Sequence, residues 1–269
     1  MSMFRTLQVA RAALLGVGLV GAPSLALAKA TPPLHVMVDP GHGGVDSGAV
    51  SGGVREADLV LQIAQKLEKK FNESADFKVT LTRSSDQRVA LHERVRKAEM
   101  AEADIFISLH ANSNSDSRVR GMEIYFQNHL PPDEETLLLA ALENQKELLR
   151  ETTKNRSASL SKKNDIAMIV EDLRRSSRVR SSRRLSLQLA NNWESAATTE
   201  ASTTRTIRQA PFHVVSRISI PSVLLELGFL TNKKDREDLK RPEVQAKIVD
   251  NLYAGLVEYK KRMDQGASP

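Results

Sequence analysis

Apolar positions recur along this chain at two periods. From Glu56 they fall at Leu59, Ile63, Leu67 and Phe71, every fourth residue, which predicts an amphipathic helix. His35–Asp39 is a short apolar run closed by Pro40-Gly41, hence a strand followed by a turn. Gly41–Gly53 holds six glycines and reads as a loop. Phe77–Thr82 reads as a strand, and Val89–Glu102 as a helix with Val89, Val95 and the alanines inward. Asp104–His110 is a buried strand, and Gly121–Phe126 another, alternating at Met122, Ile124 and Phe126. Strand and helix in turn predict a single α/β domain with a largely parallel twisted sheet flanked by helices. In such sheets sites form at the carboxyl ends of strands, where Asp39 and His110 fall.

The stretch 129–184 has another character and reads as an inserted helical segment. Asp133–Arg150 is a strong helix former with Leu137, Leu138, Ala141, Leu142 and Leu148. Thr152–Lys163 is polar and reads as a loop, and Asp165–Leu173 has an apolar face. Arg174–Arg184 carries six arginines among serines. That run suits an acidic protein or an anionic wall polymer, and equally a solvated face or a loop. Ser186–Trp193 resumes a helix, and Ala196–Arg208 is Thr/Ser-rich and reads as a loop. Pro221–Phe229 is the last core strand. Pro242–Met263 closes the fold as a helix, with Val244, Ile248, Leu252, Leu256 and Tyr259 on one face. No internal repeat is evident.

The first residues are set apart from this pattern. Arg5 and Arg11 precede an almost wholly apolar or small stretch, Ala12–Ala28, which ends in Ala26-Leu27-Ala28, with Ala28-Lys29-Ala30 as a second candidate cleavage site. Residues 1–28 therefore read as a secretory signal peptide, leaving 29–269 as the single domain of an exported protein. No other stretch is long and apolar enough to span a bilayer. About 240 residues are ample for one core. Cysteine is absent, so no disulfide holds the exported chain and no thiolate can bind a metal. The formal charge of +6 falls to near +4 without the two leader arginines. That balance suits an anionic cell envelope and calls for no nucleic-acid partner.

Candidate chemistry concentrates where elements end. His42 lies in the Gly-rich V-D-P-G-H-G-G block, Glu56 opens the first helix, and His110 closes an apolar strand. Two imidazoles and a carboxylate form a ligand set for catalytic zinc with one position left for water. Glu226 interrupts the run Ser222–Phe229. A carboxylate inside a core strand costs several kcal/mol without a partner or a task. Burial also raises its pKa and suits it to act as a general base. A buried ion pair with an arginine is the alternative. His35, His92 and His129 read as structural residues, and His213 as either lining the cleft or packing beneath it.

Together these blocks resemble the zinc-dependent N-acetylmuramoyl-L-alanine amidases that cleave bacterial peptidoglycan. The resemblance rests on V-D-P-G-H-G-G (38–44), the Glu56 helix, L-T-R-x-x-D (81–86), A-D-I-F-I-S-L-H-A-N (103–112) and P-S-V-L-L-E-L-G-F-L-T-N (221–232). It implies that His42, Glu56 and His110 bind Zn2+ and that Glu226 is the catalytic glutamate. One departure is Ala57, where the family commonly has Lys. The segment 129–184 resembles the insert of division-associated members, in which a helix covers the zinc cleft until a protein activator removes it. A-A-L-E-N-Q (140–145) resembles the start of that element, so Glu143 is expected to block the zinc, with Glu147 the alternative. The expected reaction is hydrolysis of the muramoyl–L-alanine amide, probed against two rivals: a zinc peptidase, and a non-catalytic wall-binding protein.

Overall fold

The computed structural model describes residues 31–128, 132–151, 165–193 and 204–266, without the side chains of 145–151, 165–168, 204 and 205. The expected leader, His129 and the expected loop at 152–163 lie outside the described residues, as does the side chain of Glu147. From Thr31 onward the chain forms one compact unit.

In chain order the elements are β1 (Leu34–Pro40), a hairpin of β2 (Val50–Ser51) and β3 (Val54–Arg55), α1 (Glu56–Asn72), β4 (Phe77–Leu81), α2 (Leu91–Met100), β5 (Ile105–Asn112), β6 (Gly121–Phe126), α3 (Glu134–Glu151), α4 (Asp165–Asn191), β7 (Thr204–Gln209), α5 (His213–Ser216), β8 (Ser222–Phe229), α6 (Lys233–Lys240) and α7 (Pro242–Asp264). Six strands form one sheet in the order β4-β1-β5-β8-β6-β7. All pairings are parallel except β6 with β8.

Alternation along the strands divides the core into two layers. Val36, Val38, Ile105, Ile107, Leu109, Val223, Leu225 and Leu227 face α1, the last turns of α4, and α7. The intervening Met37, Phe106 and Leu224 face a smaller cluster with Val95 and Ala98 of α2, Ala140 of α3 and Val214 and Val215 of α5. Period two puts Asp39, His110 and Glu226 on this thinner side.

Three expectations need correction. The arginine run is neither loop nor break: α4 is continuous from Asp165 to Asn191. Its buried positions there are small serines, Ser181 and Ser182, while Arg174, Arg175, Arg180 and Arg183 stay exposed, so a helix can carry the charge. The expected end of the insert at Arg184 thus falls inside a docked helix. The stretch 196–208, read as a loop, ends in a strand from Thr204, because Thr and Ile suit the sheet edge that β6 offers. The glycine-rich loop also contains β2 and the turn of the β2–β3 hairpin, whose second strand follows it.

Candidate metal centre and catalytic glutamate

The topology turns between β1 and β5: α1 leads from β1 outward to β4, and the chain returns past β1 to β5. Crevices at such switch points collect ligands. His42 follows β1, His110 lies near the end of β5, and Glu56 starts α1 close by. Their ligand atoms all lie within 4.8 Å of one another. Glu56 Oε1 is 3.1 Å from His42 Nε2 and 2.9 Å from His110 Nδ1. The two rings meet edge to face with centroids 4.9 Å apart.

Each candidate ligand is held from behind. His42 Nδ1 is 2.9 Å from Asp46 Oδ2, which leaves Nε2 turned toward the cluster. Glu56 accepts from the backbone N–H groups of Ala49 (2.8 Å) and Ala111 (3.0 Å). His42 itself has φ of 57°, a left-handed conformation that costs a non-glycine residue energy and is kept where function requires it. A Cβ on Gly48 would stand 2.4 Å from Glu56 Oε2, and one on Gly41 would stand 2.5 Å from the His110 ring, so both positions must lack one.

Two buried arginines fix the loop. Arg83 donates to the carbonyls of Pro40, Gly41 and Ala57. Arg94 donates to Asp39 Oδ1 (2.6 Å) and to the carbonyls of Pro40 and His42. Asp86 accepts from Gly44 N–H at 2.7 Å. Arg83 and Asp86 of the L-T-R-x-x-D block therefore act by orienting the residues around His42. Burial alone would raise the Asp39 pKa, but Arg94, Thr82 and Ser108 outweigh it and hold the group ionised.

The carboxylates gathered at the site favour positive charge there. Burial opposes the charged form of His42, yet Glu56, Asp46 and Glu143 outweigh it and lift its pKa to about 10. Glu56 is also desolvated, but the histidines hold it far below the ordinary range. Among the described residues, His42 Nε2 and Glu226 Oε2 are buried without a hydrogen-bond partner. Two imidazoles, a carboxylate and an orphaned Nε2 fit a divalent cation of the zinc type, without thiolates.

Glu226 pairs in register with His110 on one side and with Glu123 of β6 on the other. Burial, then the negative charges of Glu56, Glu143 and Glu123, push its pKa well up. The sequence reading overlooked Glu123, Tyr125 and Arg208, which form a network beside it. Glu123 Oε2 accepts from Tyr125 Oη (2.7 Å) and Asn112 Nδ2 (3.1 Å), and Arg208 Nε lies 3.2 Å from Glu123 Oε1. The signal was present: Glu123 and Tyr125 occupy the opposite phase from Met122, Ile124 and Phe126.

α3 lies over this ground. Asp133 caps it through Thr136 N–H at 2.8 Å. Glu143 Oε2 reaches to 3.5 Å from His42 Nε2. The next residue, Asn144, donates to the Pro211 carbonyl (3.0 Å) and accepts from His213 N–H (2.8 Å). His213 thus starts α5 beneath α3. His35 bonds Thr80 away from the site, and His92 is on the exposed side of α2.

A family model described as N-acetylmuramoyl-L-alanine amidase matches residues 36–258. The chain belongs to this amidase family. Over 83% of its length it is 30% identical to the N-acetylmuramoyl-L-alanine amidase LytC of Bacillus subtilis, covering 35% of that protein. Over 84% it is 32% identical to the probable amidase AmiB of Haemophilus influenzae, covering 52% of it. Among solved structures, the amidase AmiC2 of Nostoc punctiforme superposes with a TM-score of 0.58 at 26% identity, over 85% of this chain and 98% of that one. The chain thus spans about a third to a half of these two curated relatives, and its α/β sheet is that of solved amidases.

Proposed function

We propose that this family member is a zinc-dependent N-acetylmuramoyl-L-alanine amidase that cuts the bond between N-acetylmuramic acid and L-alanine in peptidoglycan. The observation that carries the reading is the buried His42–Glu56–His110 cluster with Glu226 beside it in register. What zinc supplies when bound is Lewis acidity toward the scissile carbonyl and the attacking water. His42, Glu56 and His110 would hold it. Glu226, its pKa pushed up by burial and like charge, takes the proton from the attacking water. It then gives that proton to the departing amine of L-alanine, so one residue serves both halves of the reaction. Asp46 keeps His42 Nε2 pointed inward throughout.

In this reading the segment 129–184 is regulatory. Glu143 on α3 occupies the side of the metal centre that water and substrate need, and a protein activator lifts α3 away. Residues 1–28 export the chain to the periplasm, where it acts in septal splitting during cell division. No helix among the described residues is long and apolar enough to cross a membrane. The test is mass spectrometry of products from purified peptidoglycan, with zinc-loaded wild-type protein and Glu143→Ala in parallel. Free stem peptides with an unblocked N-terminal L-alanine are expected, at a higher rate from the variant. Cleavage within the stem instead would overturn the bond assignment, and equal rates would remove the role of Glu143.

A further inference from the structure

The groove does not end at the metal centre. Two adjoining cavities of about 390 and 540 Å3 share walls at Asn112, Ser113, Leu139 and Leu142. The first opens onto Glu56, Glu143 and Glu226. The second runs past Tyr125 and Phe229 to Arg208 on β7.

Arg208 faces two carboxylates. Its Nε lies 3.2 Å from Glu123 Oε1, and its Nη1 donates to Glu135 Oε2 at 2.9 Å. These contacts differ in permanence. Glu123 belongs to the sheet and is fixed by Tyr125 and Asn112. Glu135 sits in the first turn of α3, and its side chain is 64% exposed. An exposed pair of this kind holds only weakly. When α3 leaves, Glu135 leaves with it, and Arg208 keeps its orientation through Glu123 while one edge of its guanidinium becomes free. A planar fork held at one edge is a receptor for a carboxylate.

The substrate proposed above carries the matching group. A peptidoglycan stem is an acidic peptide with free carboxylates at its second and third residues. Glu135 and Glu143 are eight residues apart, about 12 Å along a helix axis. An extended peptide covers that distance in roughly three to four residues. A stem with its scissile amide where Glu143 stands therefore brings these carboxylates toward Arg208.

Resting on the amidase reading, the geometry points to Arg208 as the anchor for a stem-peptide carboxylate, whose place Glu135 holds in the closed form. α3 then imitates the substrate at two points, Glu143 at the reacting centre and Glu135 at the peptide anchor. Arg208 is a specificity residue and takes no part in proton transfer.

The test is calorimetric binding with zinc-loaded full-length protein carrying Glu135→Ala and Glu143→Ala to open the groove and Glu226→Gln to prevent turnover. The probes are a synthetic N-acetylmuramoyl tripeptide and two versions of it, with the carboxylate of the second or of the third residue converted to an amide. One amidated peptide should bind about tenfold or more weakly than the parent. Adding Arg208→Gln should abolish that difference, and Arg208→Lys should retain part of it, which also guards against a folding defect in one variant. An equal difference with and without Arg208, or none for either amide, would overturn the inference while tight binding of the parent still supported the amidase reading. Failure of all three peptides to bind would remove both.

Discussion

At the residue scale, two buried glutamates of the same type have their pKa values moved in opposite directions by their surroundings. Glu56 lies between two imidazoles and two N–H donors and is held low, while burial and the neighbouring carboxylates push Glu226 up. Glu226→Gln should therefore retain stoichiometric zinc, measured by elemental mass spectrometry, while turnover falls by about 10²–10⁴-fold. Loss of zinc together with activity would instead make Glu226 a structural residue of the centre. Asp46→Ala removes the partner of His42 Nδ1 and should weaken zinc affinity by about 10–100-fold in a chelator competition. Unchanged affinity would show that Gly48 and the backbone alone orient the ring.

At the element scale, the loop after β1 depends on α2. Asp39 and Arg94 form a pair almost completely removed from water. Breaking such a pair leaves a buried charge, so Asp39→Asn should cost about 3–5 kcal/mol in denaturant unfolding. The same pair sets an acid limit. Asp39 has a lowered pKa in the folded chain, so below its ordinary value of 3.8 the unfolded chain binds the proton first. Its contribution is complete above that value and is lost as pH falls toward the folded one; a wild-type advantage over Asp39→Asn that persisted undiminished at pH 2 would contradict this. α3 is held more weakly, through Asn144 and Glu135. Asn144→Ala deletes two hydrogen bonds of about 1 kcal/mol each and should raise basal cleavage of peptidoglycan by up to roughly thirtyfold without activator. A fall in rate would mean that Asn144 serves the open site instead.

At the scale of the whole molecule, the sheet lets a thick helical layer and a thin one do different work. α1, α4 and α7 bury the larger cluster and carry stability. The thinner face leaves the strand ends at β1, β5 and β8 open to a ligand, with α3 as its cover. The antiparallel β6 and the edge strand β7 extend that face sideways, and this is how Glu123 and Arg208 come to stand beside Glu226.

Much of this was legible in the chain itself, because side-chain periodicity reports burial directly. Four-residue spacing marked α1 and α7, alternation marked β6, and His42, Glu56, His110 and Glu226 stood out as polar residues at the ends or in the middle of apolar runs. Composition misled where it was locally strong: serine and arginine hid the continuity of α4, and threonine hid β7, since docking against α7 and β6 decides both. The antiparallel direction of β6 was likewise invisible, because parallel and antiparallel neighbours can share one hydrophobic pattern. What the sequence determined alone was the α/β class and the residue types of the centre. The tertiary structure decided their distances, the opposed pKa shifts of Glu56 and Glu226, and the reach of Arg208, because each depends on contacts between residues far apart in the chain.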